Sequence, residues 1–305
     1  MKKIHTMRLF VSYRMGGLAW ALIVTVVAVA QPSGGPYGPI PQRYEVPEVT
    51  GRIYYVSPKG DRTAPGDSPD RPSSLEAAIE RVVTGDAIVL RGGIYRTGNL
   101  MLNQGITMQP YLEEKPTIKG SRVADEWERL QEDLWRTSWA TLFPSKPAGW
   151  WRRERNIALT PLHRFNDDMV FVDGQFLQSV GSTEAVNPQT FYIDYENRWV
   201  YIGTDPSEKQ VEITAFNVAL IRTTENVHGK ESDKIGPVIR GITFTQYAYR
   251  ALEVEGTFPE GLQDESQFGK EITGTVLEHC EISFCSRVAA YLRGDDMVIR
   301  HCKVS

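Results

Sequence analysis

Glu253 and Glu255, separated by one residue, are the side chains of this 305-residue chain whose type and spacing come nearest to chemistry. The run Arg250-Ala-Leu-Glu-Val-Glu-Gly256 alternates as a strand does, with Leu252 and Val254 on one face and the two glutamates on the other. Two residues apart on a strand, the carboxyls stand about 6.8 Å apart. Carboxyl pairs hydrolyse glycosidic bonds at about 5–5.5 Å when configuration is retained and about 6.5–9.5 Å when it is inverted. The spacing permits hydrolysis without assigning it, because any Glu-x-Glu on a strand has it. A different chemistry, elimination, removes the proton beside a carboxylate and needs a base together with positive charge to neutralise that carboxylate. Arg250, Arg287 and Arg293 could supply the charge, and Asp295 and Asp296 could hold a cation such as Ca2+. The plain alternative is a solvated face on which Glu255 and Arg293 pair across neighbouring strands for about 0–1 kcal/mol.

The strand that would partner these glutamates is Val288-Ala-Ala-Tyr-Leu-Arg-Gly294, whose Tyr291 and Arg293 align with Glu253 and Glu255. Both strands belong to a repeat. Val276-Leu-Glu-His-Cys-Glu-Ile-Ser283 recurs 22 positions later as Val298-Ile-Arg-His-Cys-Lys-Val-Ser305. Val238-Ile-Arg-Gly-Ile-Thr-Phe-Thr245 is a weaker copy 38 positions before the first, and the Gly/Pro-rich, acidic run 257–270 accounts for most of the excess. A unit of this size buries no apolar face alone and must stack on its neighbours. The leucine ladder and Asn of leucine-rich repeats are missing, whereas two or three short strands per turn of about 22 residues make a parallel β-helix. His279 and His301 hold equivalent positions, where a ladder of hydrogen-bonded side chains is expected and a two-His metal site is the sharper alternative. Cys280 and Cys302 are expected to stack as buried small groups rather than form a disulfide, since neighbouring rungs point them in parallel.

Upstream, Lys2, Lys3, Arg8 and Arg14 precede an uncharged run, 15–30, that ends Ala28-Val-Ala30. A basic stretch, an apolar stretch shorter than the roughly 20 residues a bilayer needs and a small-x-small site describe a signal peptide over 1–30, with an uncleaved membrane anchor as the alternative. Residues 31–51 read as a flexible leader. Arg52-Ile-Tyr-Tyr-Val-Ser57 is a strand. Ser73 and Glu76 form a capping box for a helix over 73–83, whose Leu75, Ala78, Ile79 and Val82 share one face. Residues 121–210 interrupt the pattern and hold six of the seven tryptophans. Two hairpins are expected there, Met169-Val-Phe-Val-Asp-Gly-Gln-Phe-Leu177 and the pair Thr190-Phe-Tyr-Ile-Asp194 with Trp199-Val-Tyr-Ile202. Trp150 and Trp151, followed by Arg152-Arg-Glu-Arg155, are the best candidates for stacking on sugar rings. Rungs are expected to resume at Val211.

Several segments carry a family likeness. Tyr55-Val-Ser-Pro-Lys-Gly60, Pro72, Ala77-Ala-Ile79, Gly85-Asp-Ala-Ile-Val89, Gly93-Ile-Tyr95 and then Gly105-Ile-Thr-Met108 through Glu114-Lys-Pro-Thr-Ile-Lys-Gly120 resemble the entry segment of secreted right-handed parallel β-helix proteins. The resemblance is to the pectin-lyase-like superfamily, with chondroitinase-B-like and alginate-lyase-like members nearest in this opening. It covers about 52–120 and 236–305. It implies that the helix caps the first rung and shields an open β edge. It also implies that 121–210 is a side module, as in glycosidase-like β-helix proteins. No residue matches a family catalytic motif individually, so the resemblance assigns no catalytic role.

These readings give an all-β chain: a right-handed parallel β-helix with an N-terminal capping helix and first rungs (52–120), an inserted Trp-rich antiparallel β module (121–210) and further rungs (211–305). No cap follows Ser305, so a fragment of a longer protein is expected. A net charge of −4 without a basic tract interleaved with aromatics argues against nucleic acid. Three cysteines do not make a disulfide-stapled domain. The expected partner is a polysaccharide or other glycan, bound by Tyr291, Arg287, Trp150 and Trp151 in a groove along one sheet and roofed by 257–271. The expected protein is an exported monomer, periplasmic, at the cell surface or secreted, that cleaves its glycan as a lyase or glycoside hydrolase. The alternative is a non-catalytic, cell-surface glycan-binding or adhesin-like β-helix.

Overall fold

Stacked repeats set their own register, because equivalent apolar residues fill equivalent places on successive passes of the chain. A computed structural model describes residues 39–145, 160–255 and 272–305 and shows three parallel sheets that the chain visits in turn. The first holds Ile53–Asp61, Ala87–Leu90, Thr107–Pro110, Val238–Arg240, Val276–Glu278 and Val298–Arg300. The second holds Gly93–Arg96, Pro116–Lys119, Thr243–Tyr247, Glu281–Cys285 and Lys303–Val304. The third holds Leu100–Leu102, Val218–Arg222, Arg250–Val254 and Ala290–Leu292. Val238 pairs with Val276, and Val276 with Val298, as the repeat copies require.

Alternate residues of these strands point inward and form rows. Ile88, Met108, Ile239 and Leu277 make one, and Ile118, Phe244 and Ile282 another. All are buried in one core, where each such side chain contributes about 1.5–3 kcal/mol by leaving water. One inward place is charged: Arg222 stands between Leu102 and Val254 in the third sheet and is fully buried. Its guanidinium pairs with Asp233 at 2.6 Å and donates to the Ile235 carbonyl at 3.0 Å. Asp233 also accepts from the Gly105 amide at 2.6 Å, so the buried pair ties the loop after the strand to the neighbouring turn.

The helix, Leu75–Arg81, starts one residue later than the capping box places it. Ser74 is the cap and accepts from the Ala77 amide at 3.2 Å, while Ser73 is buried and accepts from Arg81. Seven residues are too few for a helix to persist alone. Leu75, Ala78 and Ile79 hold it by joining the core beside Tyr54 and Leu102. Lys230 donates to the Glu80 and Val82 carbonyls at 2.9 and 2.7 Å, covering the helix end.

Between the first and second sheets, Gly241, His279 and His301 take the same left-handed turn conformation, with φ of 62°, 52° and 53°. The histidine ladder forms by ring stacking rather than by the expected hydrogen bonds: the imidazoles lie 4.8 Å apart and 8° from parallel. His279 Nδ1 accepts from the Ile40 amide at 3.2 Å. The three cysteines are free, and Cys280 and Cys302 each donate to a carbonyl of the preceding rung, Ile239 and Leu277, at 3.6 Å.

The inserted module has two sheets and its own core of Trp135, Val170, Phe191, Val200, Ile202 and Ile213, among others. Both expected hairpins form. In the first, Asp173 and Gly174 take positive φ (49° and 79°), which suits the twist of a two-residue turn. Val211–Thr214, expected as the first resumed rung, is instead an antiparallel strand of the module, between Val170–Val172 and Ser121–Val123. Alternation alone does not distinguish the two settings. Parallel pairing resumes at Val218–Arg222, beside Leu100–Leu102.

The module is attached to the parallel sheets by unlike groups. Glu212, almost fully buried, meets Arg96 and, at 3.0 Å, Lys119 on the outer face of the second sheet. Phe171 packs edge-on against Phe284 at 5.2 Å. Asp167 accepts both guanidinium arms of Arg287 at 3.1 and 2.8 Å, and its carbonyl accepts from Ser286. Beside it, Asp168 accepts from the Phe143 amide at 2.7 Å and the Tyr195 hydroxyl at 2.9 Å. Burial pushes the Asp168 carboxyl up to about 7 against those two bonds. The expected signal peptide and the leader residues 31–38 lie outside the described residues, among which no helix is long and apolar enough to cross a membrane.

Candidate functional site

The outer face of the third sheet brings Glu253, Glu255, Tyr291 and Arg293 together. Glu253 stands in register between Ile221 and Tyr291, so the sequence alignment of the two strands holds. The ladder continues one step past the strands: the Glu255 amide donates to the Arg222 carbonyl at 3.0 Å and the Arg293 amide to the Val254 carbonyl at 2.8 Å. Glu255 and Arg293 therefore follow in the next row on the same side.

The two carboxyls influence one another, and Glu255 helps to raise the Glu253 pKa. Arg250 pairs with Glu253 at 3.2 Å, and its guanidinium lies 5.6 Å from the centre of the Tyr291 ring. Burial raises the Glu253 pKa most, followed by the bond to Glu255 and the negative charge of Glu255, while Arg250 opposes all three. Glu253 is mostly covered and Tyr291 is exposed, so a carboxyl whose pKa is raised sits beside an accessible aromatic ring.

Other chosen residues fall elsewhere. Arg287 lies at the foot of the module, where it pairs with Asp167 at 2.8 Å and covers the Tyr249 ring at 3.9 Å while its side chain stays partly exposed. Asp295 lies in a turn between rungs, where its amide donates to the Ile272 carbonyl at 3.0 Å and its carbonyl accepts from Gly274. Asp296 follows with φ of 51°, and no group of three His, Cys, Asp or Glu able to hold a metal occurs among the described residues. Trp150 and Trp151, with the loop 257–271 that was to roof the groove, lie outside the described residues. Sequence reasoning missed Asp167, Asp168 and Glu212. The adjacent aspartates of an otherwise apolar stretch were the one available signal.

A larger cleft, about 580 Å3, opens where residues 39–44 cross the turns near His279. Its glutamates are engaged: Glu113 with Arg43, Glu114 with Arg91 and Glu281 with Lys303. The group around Glu253 is the candidate because a mostly covered carboxyl with a raised pKa, an arginine and an exposed ring meet there.

No family model and no curated protein matches the chain. Solved structures do. The complex of XylC with xylose aligns with a TM-score of 0.50 and 17% identity, over 76% of this chain and 40% of that one. A glycoside hydrolase aligns at 0.43 and 13%, over 83% of this chain and 65% of that one. The pectate lyase Pel9A aligns at 0.31 and 13%, over 82% and 52%. The likeness is one of fold. This chain is mostly β with parallel sheets, and it spans less than half the length of XylC.

Proposed function

We propose that this is an exported right-handed parallel β-helix protein that cleaves an acidic polysaccharide by elimination on the outer face of its third sheet. The observation that carries the reading is Glu253, mostly covered and paired with Arg250 at 3.2 Å, next to Glu255 and the exposed Tyr291 ring. Elimination suits a pair holding one proton: the ionised carboxyl removes the proton beside the sugar carboxylate, and the other protonates the departing oxygen as its bond to carbon breaks. A carbon–carbon double bond forms, and the pair ends with one proton again. Arg250, with Arg293 in the next row, neutralises the sugar carboxylate, and Tyr291 offers a face for the adjoining ring.

The test is incubation of the full chain with uronate and neutral polysaccharides, with and without chelator, following ultraviolet absorbance of unsaturated uronates together with reducing ends. Both signals should rise together on a uronate polymer, and Glu253→Gln should slow them at least about 100-fold. Reducing ends without absorbance would establish hydrolysis and remove the elimination reading. Retention on a glycan column with neither signal would leave a binding protein, the reading favoured by the exposed Tyr291 alone.

A further inference from the structure

The inserted module carries a cavity of about 440 Å3, apart from the Glu253 site and within the about 300–1,000 Å3 of small-ligand sites. Leu177 turns inward and is buried, which sets its neighbours Phe176 and Gln178 outward on either side. Phe176 lines the cavity and is 38% exposed, although its ring is backed by Phe171 at 5.6 Å and Phe284 at 6.2 Å. The exposed part of that ring is therefore held rather than free to fold away. Gln175, Gln178 and Gln189 bring three primary amides to the same wall. Among the described residues the side chains of Gln175 and Gln189 make no hydrogen bond, and Gln178 makes only a long one, to Arg164 at 3.4 Å. Thr204 steadies the opposite rim by donating to the Pro188 carbonyl at 2.8 Å. The two charges present cancel: Lys209 pairs with Asp173 at 2.9 Å and, with the Gln210 amide, holds that carboxyl below its usual range.

An anchored aromatic surface, uncommitted amides and no net charge fit one class of ligand. A pyranose has an apolar face for the ring and hydroxyls that both donate and accept, as amides do. A uronate would bring a charge that this cavity does not answer. We propose that the cavity is a second glycan-binding site, taking neutral sugar units, on the module rather than on the parallel sheets. The inference rests on the reading of the chain as a glycan-handling protein, and it adds a place where neutral sugar units are held away from the reacting pair.

The experiment is calorimetric titration of the full chain with cellohexaose, xylohexaose and a galacturonate hexamer, on the wild type, Phe176→Ala, Gln189→Ala and the double variant E253Q/E255Q. At least one neutral hexasaccharide should bind, about tenfold more weakly to Phe176→Ala and about fivefold more weakly to Gln189→Ala. The double variant should bind it as the wild type does. Should Phe176→Ala unfold the module, as read by its tryptophan fluorescence, the exposed Gln189→Ala decides alone. No neutral binding, or binding indifferent to Gln189→Ala, overturns the proposal. Cleavage without neutral binding would remove this site and leave elimination standing, while cavity binding without cleavage would do the reverse.

Discussion

In the parallel sheets Ile239 meets Leu277 because the chain repeats itself, whereas Glu212 of the module meets Arg96 and Lys119 because two unrelated surfaces match. The first kind of contact is one of many similar ones, and losing a methyl group is felt locally. The second is one of a few, buried and charged. Removing one partner strands the others in a poorly solvating place. Repetition thus distributes stability, and insertion concentrates it in a few joints. The tryptophans allow the two to be read apart: all four in the described residues, Trp127, Trp135, Trp139 and Trp199, belong to the module.

The largest effect should come from Glu212→Ala, which leaves Arg96 and Lys119 without their carboxylate and should cost about 3–5 kcal/mol. In urea, tryptophan fluorescence should then change before the far-ultraviolet dichroism. Coincident transitions would erase the distinction between the two regions. Leu277→Ala should cost about 3 kcal/mol by opening a cavity in the repeat core. Here the dichroism should shift at least as far as the fluorescence, and the opposite order would count against the comparison.

Asp168 sharpens it through pH. Its folded pKa is raised to about 7 from an ordinary value of 3.8, so the folded chain holds this proton more tightly than the unfolded chain. Its contribution is complete below about pH 4 and lost as pH rises through about 7, a fall of about 2 kcal/mol once relaxation and water entry are allowed for. Asp168→Asn should flatten that part of the stability curve. An unchanged slope would place the titration elsewhere. Lys303→Ala, at an exposed cross-rung pair with Glu281, should cost less than about 1 kcal/mol at low salt and almost none at high salt.

The repeat copies made the register of 238–305 legible, since Val238, Val276 and Val298 can stack only one way if their apolar faces are to meet. Both hairpins of the module were equally plain, from Asp-Gly and from the alternation of Thr190-Phe-Tyr-Ile-Asp194. Val211–Thr214 was not, because its alternation suits a rung and a module strand alike. Around Glu253, the strand neighbours followed from alignment, but the pairing of Glu253 with Arg250 did not. Backbone spacing sets where side chains start, and the chain's own torsions and the pull of Arg250 set where they end.

What the sequence determined by itself is therefore the periodic part: strands, their faces, their stacking order and which residues share a row. Those follow from local alternation and from the need of each short unit to bury one face. Only the tertiary structure decided that Arg287 serves the joint with Asp167, that Asp168 is driven towards neutrality and that burial raises the Glu253 pKa beside Arg250. Each of these depends on burial and on partners from distant or neighbouring elements. Desolvation and charge act through space, and no pattern along the chain encodes them.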